Sequence, residues 1–250
     1  MIQGCILIAI FRKYSISYLF SAFLFVASTD YISWMFNGLR QFTAVVIVFA
    51  ATTLIIERKF LPLIAVILLA STMHATALMM IPIVFIVQGE AWNKKTLCFI
   101  FAALLAIFFV GSFTSFLDSA LADTQYKNVV SDYTEWEDDG TNPIRVLIYS
   151  IPAIISFFGR KQIKQSNSVV VNICTNMSIV SAGLYVVSMF TSGIFIGRLP
   201  IYCSLYSYIL LPWEIENIFD GKVKLYVYLG LVSGYLIFYY YQMHMIWGLI

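Results

Sequence analysis

Three ionisable side chains, Arg40, His74 and Arg198, lie within or at the edge of strongly apolar stretches. An ionisable group is costly in lipid, and such residues usually mark a polar pathway or a binding site. A guanidinium can bind phosphate oxygens through two parallel hydrogen bonds, and an imidazole can accept or donate a proton near neutral pH. These residue types indicate chemistry on a phosphate-bearing substrate.

Arg40 stands at the start of an apolar run, in Asn37-Gly38-Leu39-Arg40-Gln41. Two interpretations are open: the guanidinium extends to the lipid headgroups, or it captures a phosphate. The amides of Asn37 and Gln41 favour the second, because a lipid-exposed arginine needs no polar neighbours within one turn.

Arg198 precedes Leu199-Pro200-Ile201-Tyr202, where a helix is predicted to begin with Tyr202 one turn further on the same face. Extension to the headgroups is again the alternative. Together with Arg40 it would bind a diphosphate. Arg145 is either a third cation or a simple interfacial anchor, since it follows Asn142-Pro143.

His74 interrupts an apolar run in Ser71-Thr72-Met73-His74-Ala75-Thr76. It is either a hydrogen-bonded packing residue or a proton acceptor or donor to a substrate oxygen. The other histidine, His244, is distant in sequence, and the four cysteines lack metal-ligand spacing, so no metal site is expected. GxSxG, Walker and HExxH motifs are absent from the sequence, so no cofactor is predicted and hydrolase or nucleotide-driven chemistry lacks support.

The elements that position these residues are predicted to be membrane helices. Of the 250 residues, 61% are hydrophobic and 11% are charged, and the mean hydropathy is +0.87; soluble domains carry about 25% charged residues. We therefore predict an all-α, polytopic membrane bundle of about 7–9 spans in a single transmembrane domain over residues 1–250. Candidate spans are 16–27, 38–56, 61–87, 96–117, 143–158, 169–192, 199–212 and 225–242. The first run, 2–11, is too short to span and is either an amphiphilic start or the remainder of a longer N-terminal part.

Basic residues indicate the orientation, because lysine and arginine concentrate in cytoplasmic loops. Eleven of the fifteen can lie on one side if segment 61–87 returns to the side where it began. A broken or re-entrant helix pair with its apex near His74 satisfies this condition, and one long tilted helix is the alternative. Arg40, His74 and Arg198 then share the outer face, together with an external acidic, aromatic loop over 118–142.

The motifs taken together resemble the EpsG-like branch of the Wzy-type polysaccharide polymerases, which assemble O-antigen, capsule or exopolysaccharide in bacteria. The resemblance rests on Asn37-Gly38-Leu39-Arg40-Gln41, Glu57-Arg58-Lys59-Phe60, His74-Ala75-Thr76-Ala77-Leu78 with Pro82, and Arg198-Leu199-Pro200-Ile201-Tyr202. It covers residues 14–90 well and 143–215 loosely. Relatives have further spans before the region that matches Ile16, so the chain resembles an N-terminally shortened member.

This resemblance implies an inner-membrane glycosyltransferase that extends a glycan held on undecaprenyl diphosphate at the outer face. Arg40, Arg198 and His74 would be catalytic, and Asn37, Gln41, Arg145 and Tyr202 would bind substrate. The implied partners are the lipid-linked oligosaccharide, the bilayer, a flippase and a chain-length regulator, with no nucleic acid. Three rival functions stay open: a flippase or transporter, a membrane acyltransferase, and a non-catalytic subunit of an assembly complex.

Overall fold

The computed structural model describes residues 2–120, 140–193 and 195–249, without the side chains of Met35 and Asn37. Helices make up nearly all of this part, and it contains no strand. The helices are α1 Ile2–Tyr14, α2 Tyr18–Ala27, α3 Asp30–Asn37, α4 Leu39–Ala50, α5 Thr52–Ile56, α6 Phe60–Met73, α7 Met80–Ile86, α8 Lys94–Phe108, α9 Val110–Ala120, α10 Pro143–Phe158, α11 Arg160–Ser166, α12 Val169–Met189, α13 Ile201–Ile218 and α14 Gly221–Tyr240.

The all-α prediction is confirmed for the described residues, whereas the count of 7–9 spans is not. Two helices, Val169–Met189 and Gly221–Ile246, are individually long and apolar enough to cross a membrane. Two bent pairs raise this number to four if each pair is one span. Four further apolar helices of 10–17 residues are shorter than the length a straight crossing needs.

Two predicted spans are broken in the structure. Segment 96–117 bends by 103° between α8 and α9, next to Gly111-Ser112, a residue pair found at sharp kinks. Segment 38–56 is divided into α4 and α5 at Ala51, whose backbone is not helical. Hydropathy identified both apolar segments but could not show these breaks, because apolar composition continues through them.

The chain doubles back at His74. Residue His74 itself is extended (φ −156°, ψ 120°), and a 3₁₀ turn, Ala75–Met79, leads into α7. The rings of Phe60, at the start of α6, and Phe85, near the end of α7, stack with their centroids 4.7 Å apart. The predicted broken helix pair is therefore confirmed, and a single long tilted helix is not what forms.

The return gathers basic turns at one end of the bundle. Lys95 Nζ donates to the Phe85 carbonyl (2.5 Å), and Lys13 Nζ donates to Thr53 Oγ1 (3.0 Å), one turn before Arg58-Lys59. Arg160 lies over the ring of Trp92 (5.9 Å to the centroid), which stands two residues before Lys94-Lys95 in the chain. This clustering agrees with the charge distribution predicted from sequence, and we call it the basic end.

Helices α12 and α13 form the centre, antiparallel and buried along most of their length. Serines join them in the interior, where Ser178 Oγ and Ser207 Oγ are 2.8 Å apart. Hydroxyl pairs of this kind link membrane helices because small side chains allow close approach. The short N-terminal helix α1 packs Leu7 and Phe11 into the same core, next to α4.

Candidate functional site

A cavity of about 470 Å³ lies at the end of the bundle opposite the basic end. It is formed by α3, the start of α10, the turn before α13 and the C-terminal turn. Its lining includes Trp34, Thr141, Asn142, Arg145, Arg198 and Gln242. We call it the arginine cavity, because two of the sequence-selected cations meet there.

Arg145 reaches the cavity from the first turn of α10. Asn142 caps this helix by accepting a hydrogen bond from the Ile144 amide (2.9 Å), and Pro143 occupies the first helical position. One turn on, the Tyr149 ring lies 5.5 Å from the guanidinium carbon. A cation at a helix N-terminus is opposed by the helix dipole, so Arg145 needs a compensating anion.

Asp30 supplies that anion, and sequence reasoning did not select it. Its carboxylate is fully buried and lies 3.7 Å from the Arg145 guanidinium. It accepts hydrogen bonds from the hydroxyls of Tyr149 and Tyr208, the latter at 2.6 Å. Thr29 makes the turn that points Asp30 inward, with φ 67°, a conformation that non-glycine residues rarely adopt. The ionisable-residue rule that selected the other groups would have found Asp30, which lies three residues after the apolar run that ends at Ala27.

Arg198 lies in a 3₁₀ turn, Ile196–Arg198, that is held by the segment entering α10. The Thr141 amide donates to the Ser188 carbonyl (3.0 Å), and Ser188 Oγ donates to Thr141 Oγ1 (2.7 Å). A Cβ at Gly197 would lie 2.5 Å from Thr141 Oγ1, and Gly140 has φ 79°. Two glycines thus permit the close approach that forms one wall of the cavity.

A chain of hydrogen bonds connects His74 to the Arg198 segment. His74 Nδ1 lies 2.6 Å from Thr76 Oγ1, and Thr76 Oγ1 lies 3.1 Å from the Tyr202 hydroxyl. Gln41 Nε2 donates to the Arg198 carbonyl (3.1 Å) and lies 3.5 Å from Thr76 Oγ1. His74, Gln41, Tyr202 and Arg198 therefore meet at one end, through a threonine that the sequence did not single out.

Arg40 is placed differently from its neighbour Gln41. Gln41 is buried and faces the His74 network, whereas Arg40 is exposed and is not one of the residues that line the arginine cavity. Consecutive helical residues point about 100° apart, so only one of the two can face inward. Arg145, rather than Arg40, accompanies Arg198 at the cavity, and the Asn37 side chain lies outside the described residues.

The chemistry of the cavity suits an anion with attached hydroxyls. Two guanidiniums face it, and only Arg145 has a carboxylate partner among the described residues. Three buried atoms on its lining residues, Ser33 Oγ, Trp34 Nε1 and Arg145 Nε, make no hydrogen bond within the described part of the chain. Buried polar groups of this kind are normally satisfied, so a ligand could complete them. No group of three His, Cys, Asp or Glu side chains among the described residues is arranged to hold a metal ion.

Comparison with known families decides the wider assignment. The family model of the EpsG family matches residues 1–246. The chain belongs to the EpsG family. It is accordingly a membrane protein of polysaccharide biosynthesis, and the likeness recognised from short motifs extends over almost the whole sequence. The search of curated proteins and the search of solved structures found no match.

Proposed function

We propose that this EpsG-family protein polymerises lipid-linked repeat units of a bacterial surface polysaccharide, such as O-antigen, capsule or exopolysaccharide. The donor is a glycan on undecaprenyl diphosphate, and the acceptor is a sugar hydroxyl of a second lipid-linked unit. The reaction takes place at the outer face of the cytoplasmic membrane. The observation that carries the proposal is that Arg198 lines the arginine cavity while its carbonyl joins the His74 network.

In the proposed reaction, a lone pair of the acceptor oxygen forms the new bond to the anomeric carbon. The bond from that carbon to the diphosphate breaks, and its electron pair leaves with the lipid diphosphate. Two negatively charged phosphoryl groups need compensation at that moment, and fixed guanidiniums supply it without reorganisation. Arg198 and Arg145 hold the diphosphate, and Arg40, which is exposed and does not line the cavity, adds a further positive charge at the same end of the bundle.

His74 receives the proton that the acceptor hydroxyl loses. Its Nδ1 contact with the Thr76 hydroxyl fixes the orientation of the imidazole ring. A general base must first be held within hydrogen-bond reach of the proton that it accepts. Tyr202 supports the same hydroxyl, and Gln41 ties the network to the Arg198 backbone. These residues, with Asn37, position the acceptor sugar. No metal or nucleotide enters the proposed reaction.

Reconstituted vesicles with a lipid-linked oligosaccharide test the proposal. The wild-type protein should convert the substrate into longer lipid-linked chains. Arg198→Lys should reduce the rate of chain lengthening by about tenfold to a hundredfold. Lysine keeps the positive charge but lacks the planar guanidinium that can bind two phosphate oxygens at once. Arg12→Lys, an exposed position at the basic end, is the matched control and should retain wild-type activity.

The same vesicles separate the rival functions. Substrate that changes leaflet without lengthening would indicate a flippase, and modification only with an added acyl donor would indicate an acyltransferase. A protein that inserts normally but does neither would be a non-catalytic subunit. Any of these outcomes would contradict polymerisation by this chain.

A further inference from the structure

An apolar groove of about 660 Å³ runs along the outside of the bundle between α8 and α10, with α12 as its floor. Its lining is almost entirely hydrocarbon. On α10 it follows a single face, from Pro143 through Val146, Ser150 and Ala153 to Phe157. At 1.5 Å per residue this face is about 21 Å long, which is most of the hydrocarbon thickness of a bilayer, about 30 Å. We call it the α10 groove.

The groove is open because α8 and α10, the helices on its two sides, pack on α12 and not tightly on each other. Both α8 and α10 contact α12. Small side chains line the space between them, among them Ala103 on α8, Ala153 on α10 and Ala182 on α12. Larger residues at these helical positions would close the gap, so the sequence itself keeps the volume available.

One end of the groove adjoins the arginine cavity. Asn142 and Arg145 line the cavity, while Pro143, Val146 and Leu147 line the groove. Cavity and groove therefore share the first turn of α10, whose helical pitch is about 5 Å. A ligand with a charged group at Arg145 could place an attached hydrocarbon chain directly in the groove.

The opposite end is closed by aromatic rings near the basic end. Trp92 and Phe157 meet edge to face, with centroids 5.3 Å apart, and Trp92 Nε1 donates to Ser156 Oγ (3.2 Å). An arginine borders each end of the groove, because Arg160 lies over the Trp92 and Phe157 rings (5.9 and 4.1 Å to the centroids), but only the end at Arg145 adjoins the arginine cavity. An amphiphile whose anionic head lies in that cavity would direct its hydrocarbon chain into this end of the groove.

We propose that the α10 groove binds the polyprenyl chain of the lipid-linked substrate while its diphosphate lies in the arginine cavity. This inference rests on the proposed function, since it assigns a place to the lipid of the same donor. The groove offers a hydrocarbon-lined volume of about 660 Å³ along one face of α10, next to the two guanidiniums that would hold the diphosphate. Chain length then becomes a determinant of substrate affinity.

The test fills the groove and compares substrates of different lipid length. Ala103→Trp narrows the groove, and Ala102→Trp adds the same side chain at the adjacent, exposed position as a matched control. In vesicles, Ala103→Trp should raise the KM for the undecaprenyl-linked donor about tenfold and leave the KM for a donor with a single isoprene unit, too short to reach position 103, within about twofold. Ala102→Trp should change neither. Equal effects on both donors, or no effect of Ala103→Trp, would overturn the inference.

A binding measurement tests the groove independently of whether the protein polymerises its substrate. A photoreactive undecaprenyl diphosphate is irradiated with the wild-type protein in phosphatidylethanolamine and phosphatidylglycerol vesicles, and the labelled peptides are mapped. Labels on α8, α10 and α12 that Ala103→Trp abolishes support the groove, even where no polymer forms. Labels elsewhere, or labelling that excess phospholipid removes, reject it, even where the wild-type protein polymerises normally.

Discussion

The buried carboxylate of Asp30 lies 3.7 Å from the guanidinium of Arg145, and the two residues come from helices that are more than one hundred positions apart in the chain. Arg145 faces the arginine cavity, whereas Asp30 lies behind it and is fully buried. Asp30 is therefore a positioning residue, since it holds the cation that faces the substrate. Removing one member of a buried ion pair leaves the other charge uncompensated.

Asp30→Asn should lower the free energy of unfolding by about 3 kcal/mol, because Arg145 stays buried without its anion. Thermal unfolding in detergent measures this change. The double variant Asp30→Asn with Arg145→Met should recover most of the lost stability and none of the activity. An Asp30→Asn protein that unfolds at the wild-type temperature would show that the ion pair does not hold this region.

His74→Ala should reduce kcat by about a hundredfold or more, within the range expected for loss of a general base. Thr76→Val should have a smaller effect on kcat, because it removes only the hydroxyl that orients the ring. His244→Phe is the control, since it keeps the stack on Tyr240, whose centroid is 5.1 Å away. Steady-state rates over a range of donor concentrations distinguish kcat from KM. Equal losses in the His74 and His244 variants would contradict a specific role for His74.

Gly140→Ala should destabilise the protein by about 2 kcal/mol and disorganise the cavity wall. The residue has φ 79°, and an added Cβ would lie 2.6 Å from the Met189 carbonyl oxygen. Gly230→Ala on α14 is the matched control: nothing lies within 4 Å of its Cβ position, and alanine favours the helix. Melting temperatures of the two purified variants should move in opposite directions. Identical shifts would argue against the close packing that Gly140 and Gly197 permit beside Thr141.

Cysteine accessibility should place the two ends of the bundle on opposite sides of the membrane. After serine replaces the exposed Cys5 and Cys98, single cysteines at positions 58 and 95 should react with an impermeant reagent only from the cytoplasmic side. Positions 40 and 198 should react only from outside. Labelling of positions 40, 74 and 198 from different sides would contradict the proposal that these residues act at one site.

Several features of the site were predictable from the sequence because they depend on local chemistry. A histidine and polar residues in the middle of an apolar run predicted the return at His74, and the stack of Phe60 on Phe85 confirms it. Charge placement predicted that basic turns gather at one end. Hydrogen bonds bring Gln41, Tyr202 and Arg198 together at the other end, while their role in binding stays a prediction.

Other features depended on side-chain direction, which hydropathy does not report. The sequence paired Arg40 with Arg198, but the rotation of α4 turns Gln41 inward and leaves Arg40 exposed. It treated Arg145 as a third cation or an anchor, whereas α10 brings Arg145 to the cavity. The acidic loop lies largely outside the described residues, at 121–139, so its external position stays a prediction.

The sequence by itself determined that the chain is helical and apolar, and it indicated the reversal at His74 and the resemblance to polysaccharide-assembly proteins, because composition and motif order are properties of the chain. The tertiary structure alone decided which cations meet, that Asp30 compensates Arg145, and that a hydrocarbon groove begins beside them. Those relationships join residues that are distant in sequence, and only the packing of α2, α3, α10, α12 and α13 brings them within a few ångströms.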